Sequence, residues 1–176
     1  MTQTSFQPPV ARVRALAQES AAAAAAALSQ LCCQPVRAAA ARVCGASGSI
    51  DAGKLDTGIV FEADGAVRGV VALLLSNVGR AAVLEALGVE SLAVGSLADS
   101  ALREVGNVVA SHSVSAAADR LGGRVTLSVP TLVGEAAGSL IDRLLARHGG
   151  LIVTTTELQG ISEAPDAMLV FAVQVL

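Results

Sequence analysis

The chain has 176 residues and a net charge of -3, enough for one domain with a sizeable core. Apolar residues make up 53% of it and charged residues 15%, but much of the apolar content is alanine. Its longest run, Ala21 to Leu28, is far short of the roughly 20 residues that a membrane span needs. Aromatic residues amount to 2%, with no Trp or Tyr and no long basic run, which leaves little to stack on bases and argues against nucleic-acid binding.

The first residues, to about position 8, are polar and read as a loose tail ahead of one domain over 9–176. No basic segment leads into an apolar one there, so a cytoplasmic location is expected. Pro8-Pro9 introduces a helical pattern from about Val10 to Leu31, which Pro35 ends. Cys32, Cys33 and Cys44 are odd in number and lack metal-binding spacing. They are expected as reduced thiols in the core, with no disulfide and no metal site.

Val36 to Val43 is a weak strand candidate, and the Gly/Ser stretch from Gly45 to Gly53 reads as a loop. Thr57 to Ala63 and Val67 to Leu75 are β-branched and aliphatic. Asp64-Gly65 between them is a hairpin turn signal, so the two strands should pair antiparallel. Asn77 to Leu87 reads as a short helix ended by Gly88. A second long helix runs from about Ser96 to Leu121 and is closed by Gly122-Gly123. Val125 to Val129 alternates like a half-buried strand up to Pro130, Gly134 to Arg147 is helical, and Leu151 to Leu158 and Met168 to Val175 are strands.

The order long helix, strand, strand, strand thus occurs twice. It predicts an α+β (α/β) fold with one largely antiparallel sheet of about six strands and two long helices, related by an approximate two-fold axis. Aligning Val36 with Val125 displaces the numbering by 89 between the two halves. Met168 to Val175 is a candidate exposed edge, where a second copy would pair, and both monomer and homodimer stay open.

On the second long helix, Ser100, Glu104 and Asn107 stand at i, i+4 and i+7 and share one face. Leu102, Val105 and Val109 supply an apolar stripe opposite, with Ala116 further along, so the polar face is turned away from the core. Spacing alone is satisfied by an ordinary solvated face. The wider pattern is more specific: Ser100, three residues, Glu104, two residues, Asn107, the 22 residues Val108 through Val129, then Pro130.

This pattern resembles the signature of the CheC/CheX family of phosphatases acting on CheY-phosphate, and Glu104-Val105-Gly106-Asn107 is similar to the family's Glu-Ile-Gly-Asn. Leu28-Ser29 and Gln34-Pro35-Val36 resemble the segment after that family's first helix. The resemblance implies a chemotaxis-type phosphatase that hydrolyses the aspartyl phosphate of a CheY-like response regulator. In it Asn107 orients the attacking water, Glu104 pairs with the regulator's lysine, Ser100 serves docking and Pro130 is a structural element of the motif. It also implies no cofactor of the protein's own, with Mg²⁺ supplied by the bound regulator.

Many CheC members carry the motif on both long helices, and here this chain departs from them. At the displacement of 89, Glu104 corresponds to Ala15, Asn107 to Gln18, Ser100 to Ala11 and Pro130 to Ala41. One site is therefore expected, leaving the chain intermediate between CheX-like and CheC-like members, with Gln18 as a residual candidate for orienting a water. Asp99 is a neighbouring substitute for Ser100. His112 and His148 have no paired Ser, Cys or Asp that would make a hydrolytic triad. Two other readings are a non-catalytic docking module like the flagellar switch proteins of the same fold, and an adaptor for a CheD-like deamidase.

Overall fold

A computed structural model describes residues 10–44, 55–89, 96–134, 137–148, 151–160 and 167–175. The expected tail and the Gly45–Gly53 loop lie outside these residues. Alanine-rich α1 spans Val10–Cys32, and the strand expected over 36–43 is two short ones, β1 (Arg37–Ala38) and β2 (Arg42–Cys44). β3 (Thr57–Gly65) and β4 (Val67–Leu75) form the expected antiparallel hairpin, from Thr57 opposite Leu75 to Ala63 opposite Gly69. α2 (Asn77–Ala86) begins where Ser76 Oγ accepts a hydrogen bond from the Gly79 N–H at 3.0 Å, a side-chain N-cap.

α3 spans Ser96–Leu121, the bounds read from the sequence. The strand expected up to Val129 stops earlier, as β5 (Val125–Leu127), and a further short strand follows as β6 (Thr131–Val133). Pro130 has no N–H to give to a ladder, so the strand breaks there. α4 (Ala137–His148), β7 (Ile152–Gln159) and β8 (Ala167–Val175) complete the chain.

All pairings are antiparallel, in the order β1-β7-β8-β4-β3-β5, with β2 also on β7 and β6 also on β3. Among the described residues the eight strands therefore occupy six lateral positions, each edge position being split in two. β8 is not the exposed edge that the sequence suggested. It lies at the centre between β7 and β4, and its unbroken apolar run Leu169–Val173 is buried on both faces.

The two halves are related as expected. Ala38 pairs with Leu158 as Leu127 pairs with Ala63, and Arg42 pairs with Thr155 as Thr131 pairs with Val60. The edge strands of one half thus pair with the hairpin of the other, and the displacement of 89 holds throughout the helix and edge segments. Two glycines carry the same mark: Gly65 (φ 126°) lies against the Arg124 carbonyl as Gly160 (φ 116°) lies against that of Pro35.

Strand alternation divides the core between the sheet's two faces. Ile59, Phe61, Leu73, Leu75, Leu169 and Phe171 face the layer of α1, α2 and α3, while Val60, Ala72, Leu74 and Val170 face α4 through Ile141 and Leu144. Within the helical layer, Ala21, Ala24 and Ala25 of α1 are buried, and their small side chains let α1 and α3 approach closely. An ion pair between Glu19 and Arg120 joins the middle of α1 to the last turn of α3. Of the thiols, Cys32 is buried and Cys44 half-buried, but Cys33 is exposed rather than in the core, because it stands just past the end of α1 with φ 50°.

Candidate functional site

The groove that gathers the motif is built from α3 and the break between β5 and β6. On α3, Leu102, Val105 and Val109 are buried toward the sheet, while Ser100, Glu104 and Asn107 are exposed. Ala116 of the expected apolar stripe is only half-buried. Gly106, between the two polar residues, lets the helix lie flush on β3: a Cβ there would come within 2.8 Å of Ile59 Cβ and closer still to its Cγ2. That contact fixes the height and rotation at which Glu104 and Asn107 stand above the sheet.

The opposite wall is set by Ser128. Its N–H donates to the Glu62 carbonyl at 2.9 Å, and its hydroxyl oxygen accepts from the Glu62 N–H at 3.0 Å. Ser128 thereby continues the pairing to β3 for one residue after β5 ends. Val129 and Pro130 then leave the sheet toward α3, with Val129 83% exposed. Ser100, Arg103, Glu104 and Asn107 from the helix and Leu127, Ser128, Val129 and Pro130 from the strand break line one open groove of about 480 Å³. Residues 23 apart in sequence, Asn107 and Pro130, are thus neighbours across it.

Neither the Asn107 amide nor the Glu104 carboxylate has a hydrogen-bond or ion-pair partner among the described residues. An exposed amide that can donate and accept, beside an exposed carboxylate, is equipped to fix a water and to hold a cation. No cluster of three or more His, Cys, Asp or Glu among the described residues is arranged to hold a metal ion. His112 is exposed elsewhere on α3 and outside the groove lining, and Asp99 is likewise not among the lining residues.

Residues 97–133, which include Ser100, Glu104, Asn107 and Pro130, match the model of the CheC-like family. The described fold is also that of CheX chemotaxis proteins: CheX from Vibrio vulnificus matches with a TM-score of 0.69 at 11% identity, over 91% of this chain and 99% of that one. Over residues 97–133 the chain is therefore similar to the CheC-like family. A structure of the CheX-CheY complex with BeF3 and Mg²⁺ from Borrelia burgdorferi matches with a TM-score of 0.58 at 13% identity, over 89% of this chain and 96% of that one. FliY from Thermotoga maritima matches with a TM-score of 0.62 at 12% identity, over 95% and 92%. At such identities the likeness is one of fold, and no curated protein matches the chain by sequence.

The CheC-like motif in its first-half counterpart is changed in structure as well as in sequence. Gln18, which the sequence left as a residual candidate, is taken up in a clasp. Its Nε2 donates to the Ala39 carbonyl at 3.0 Å and its Oε1 accepts from the Ala41 N–H at 2.8 Å. With both ends of the amide engaged and Ala15 where a carboxylate would stand, Gln18 is not equipped to orient a water. Arg103 and Val129 were not singled out from the sequence. Arg103 adjoins Glu104 and carried no pattern of its own, while the outward turn of Val129 could have been inferred from the proline after it.

No described helix is long and apolar enough to cross a membrane.

Proposed function

We propose that this protein hydrolyses the aspartyl phosphate of a CheY-like response regulator. The observation that carries this reading is the exposed, unpartnered pair Glu104 and Asn107, held over an open groove with Ser100 and Pro130. An aspartyl phosphate is an activated acyl phosphate, so hydrolysis chiefly requires a water positioned in line with phosphorus. Asn107 enters the regulator's site, accepting a hydrogen bond from that water through Oδ1 and donating one through Nδ2. The water oxygen bonds to phosphorus, the bond from phosphorus to the aspartate oxygen breaks, and the carboxylate and inorganic phosphate leave.

Glu104, one helical turn away, binds the lysine ammonium that neighbours the phosphate and so sets the helix in register. Ser100, a further turn back, contributes docking, and Mg²⁺ belongs to the regulator. The fold shared with CheX supports a partner of the CheY type, since one such neighbour is a CheX-CheY complex.

A docking module without hydrolysis is the second reading. It draws on the fold shared with FliY and on two exposed aliphatic side chains, Val129 in the groove wall and Leu97 on the same helical face as Ser100 and Glu104. The decay of phosphate on a CheY-like regulator, with the native protein and with a Glu104→Ala, Asn107→Ala variant, separates the two. Acceleration by the native chain alone supports the phosphatase, and binding without acceleration supports the docking module.

A further inference from the structure

The two halves of the fold hold an amide at the same place and treat it differently. The ends of α1 and α3 coincide at the displacement of 89, since Cys33 (φ 50°) and Gly122 (φ 66°) both terminate their helices, and Gln34 N–H bonds to the Ser29 carbonyl as Gly123 N–H bonds to that of Ala118. Gln18 therefore corresponds to Asn107. On the strand side, Ala39 N–H donates to the Glu157 carbonyl as Ser128 N–H donates to that of Glu62, and Arg42 holds the register position of Thr131. Ala41 therefore corresponds to Pro130.

In the first half the Ala41 N–H captures the amide oxygen of Gln18 at 2.8 Å. In the second half that donor does not exist, because proline has no N–H. From this we infer that Pro130 is a positioning residue: by withholding the backbone donor that would clasp the amide of residue 107, it leaves that amide free for the water. The shorter side chain of asparagine acts in the same direction, reaching one methylene less far toward the strand break. Gln18 with Ala41 is a structural clasp between α1 and the β1–β2 break, and Asn107 with Pro130 is its open counterpart. This inference rests on the phosphatase reading for its functional consequence, but the clasp itself is independent of it.

The test converts one half into the other. Native protein and the variants Asn107→Gln, Pro130→Ala and Asn107→Gln with Pro130→Ala are compared by NMR hydrogen exchange of the residue 107 side-chain amide, by urea unfolding and by regulator dephosphorylation. In the double variant alone, the residue 107 amide is expected to become protected from exchange by about tenfold, the worth of one to two hydrogen bonds, with a higher unfolding midpoint than Asn107→Gln. Its turnover number is expected to fall by more than the product of the single effects, with the concentration of regulator at half-maximal rate little changed. An unprotected amide in the double variant overturns the inference, whatever the activities are. Protection with no acceleration by any of the proteins, native included, sustains the clasp and refutes the phosphatase reading instead.

Discussion

Gly106 of α3 lies directly on Ile59 of β3, with no room for a methyl group between them. Ile59 is fully buried, β-branched and stiff, and it belongs to the hairpin that also anchors Ser128 through Glu62. One close contact therefore relates both walls of the groove: the helix that carries Glu104 and Asn107, and the strand against which Val129 and Pro130 turn outward.

Gly106→Ala is accordingly expected to destabilise the protein by about 1–3 kcal/mol, the usual effect of overpacking a tight core. On the phosphatase reading it is also expected to slow dephosphorylation by more than an equally destabilising change at α4, because it lifts the helix at the site. Ile59→Ala in the same chain opens the space, so the double variant should be more stable than the sum of the single effects predicts. Strict additivity in urea unfolding would show that the contact is not the constraint.

Cys33 and Gly122 end the two long helices in the same left-handed conformation, which only glycine adopts without strain. Cys33 is exposed, and its thiol makes no more than a 3.8 Å approach to the Gln30 carbonyl, so little is lost by removing the side chain. Cys33→Gly is expected to stabilise the protein by about 0.5–1 kcal/mol, with Cys33→Ala close to neutral because it keeps the Cβ at positive φ. Thermal unfolding of the three proteins checks this, and an equal gain from alanine would assign the effect to the thiol instead of the backbone.

Burial holds the Cys32 thiol above its ordinary pKa of 9.0, and the neighbouring Cys33 raises it further. A raised acid favours the folded state only while both states keep the proton. The contribution is thus fully present below the pKa of the unfolded chain and is lost as pH rises past it toward the folded value. With no tyrosine in the chain, few other groups titrate in that range. The urea midpoint is expected to fall between pH 8 and pH 10 by less in Cys32→Ala than in the native protein, and parallel pH dependences would remove Cys32 as the cause.

Local pattern settled much of this protein. The bounds of α3, its polar face, the β3–β4 hairpin and the doubled order of elements all depend on side-chain period and on chain-stopping residues such as Pro35 and Gly122, which act within a few positions of themselves. The motif spacing from Ser100 to Pro130 was also open to inspection, although the meeting of Asn107 with Pro130 depends on α3 reversing into β5. What sequence period left undecided was sheet order and the fate of unpaired backbone groups. β8 reads as a strand wherever it is placed, and only pairing between the two hairpins puts it at the centre and not at the edge. Gln18 and Asn107 are both helical amides one methylene apart, yet one is clasped and the other open. That difference is decided across the groove, by whether the residue opposite has an N–H to give.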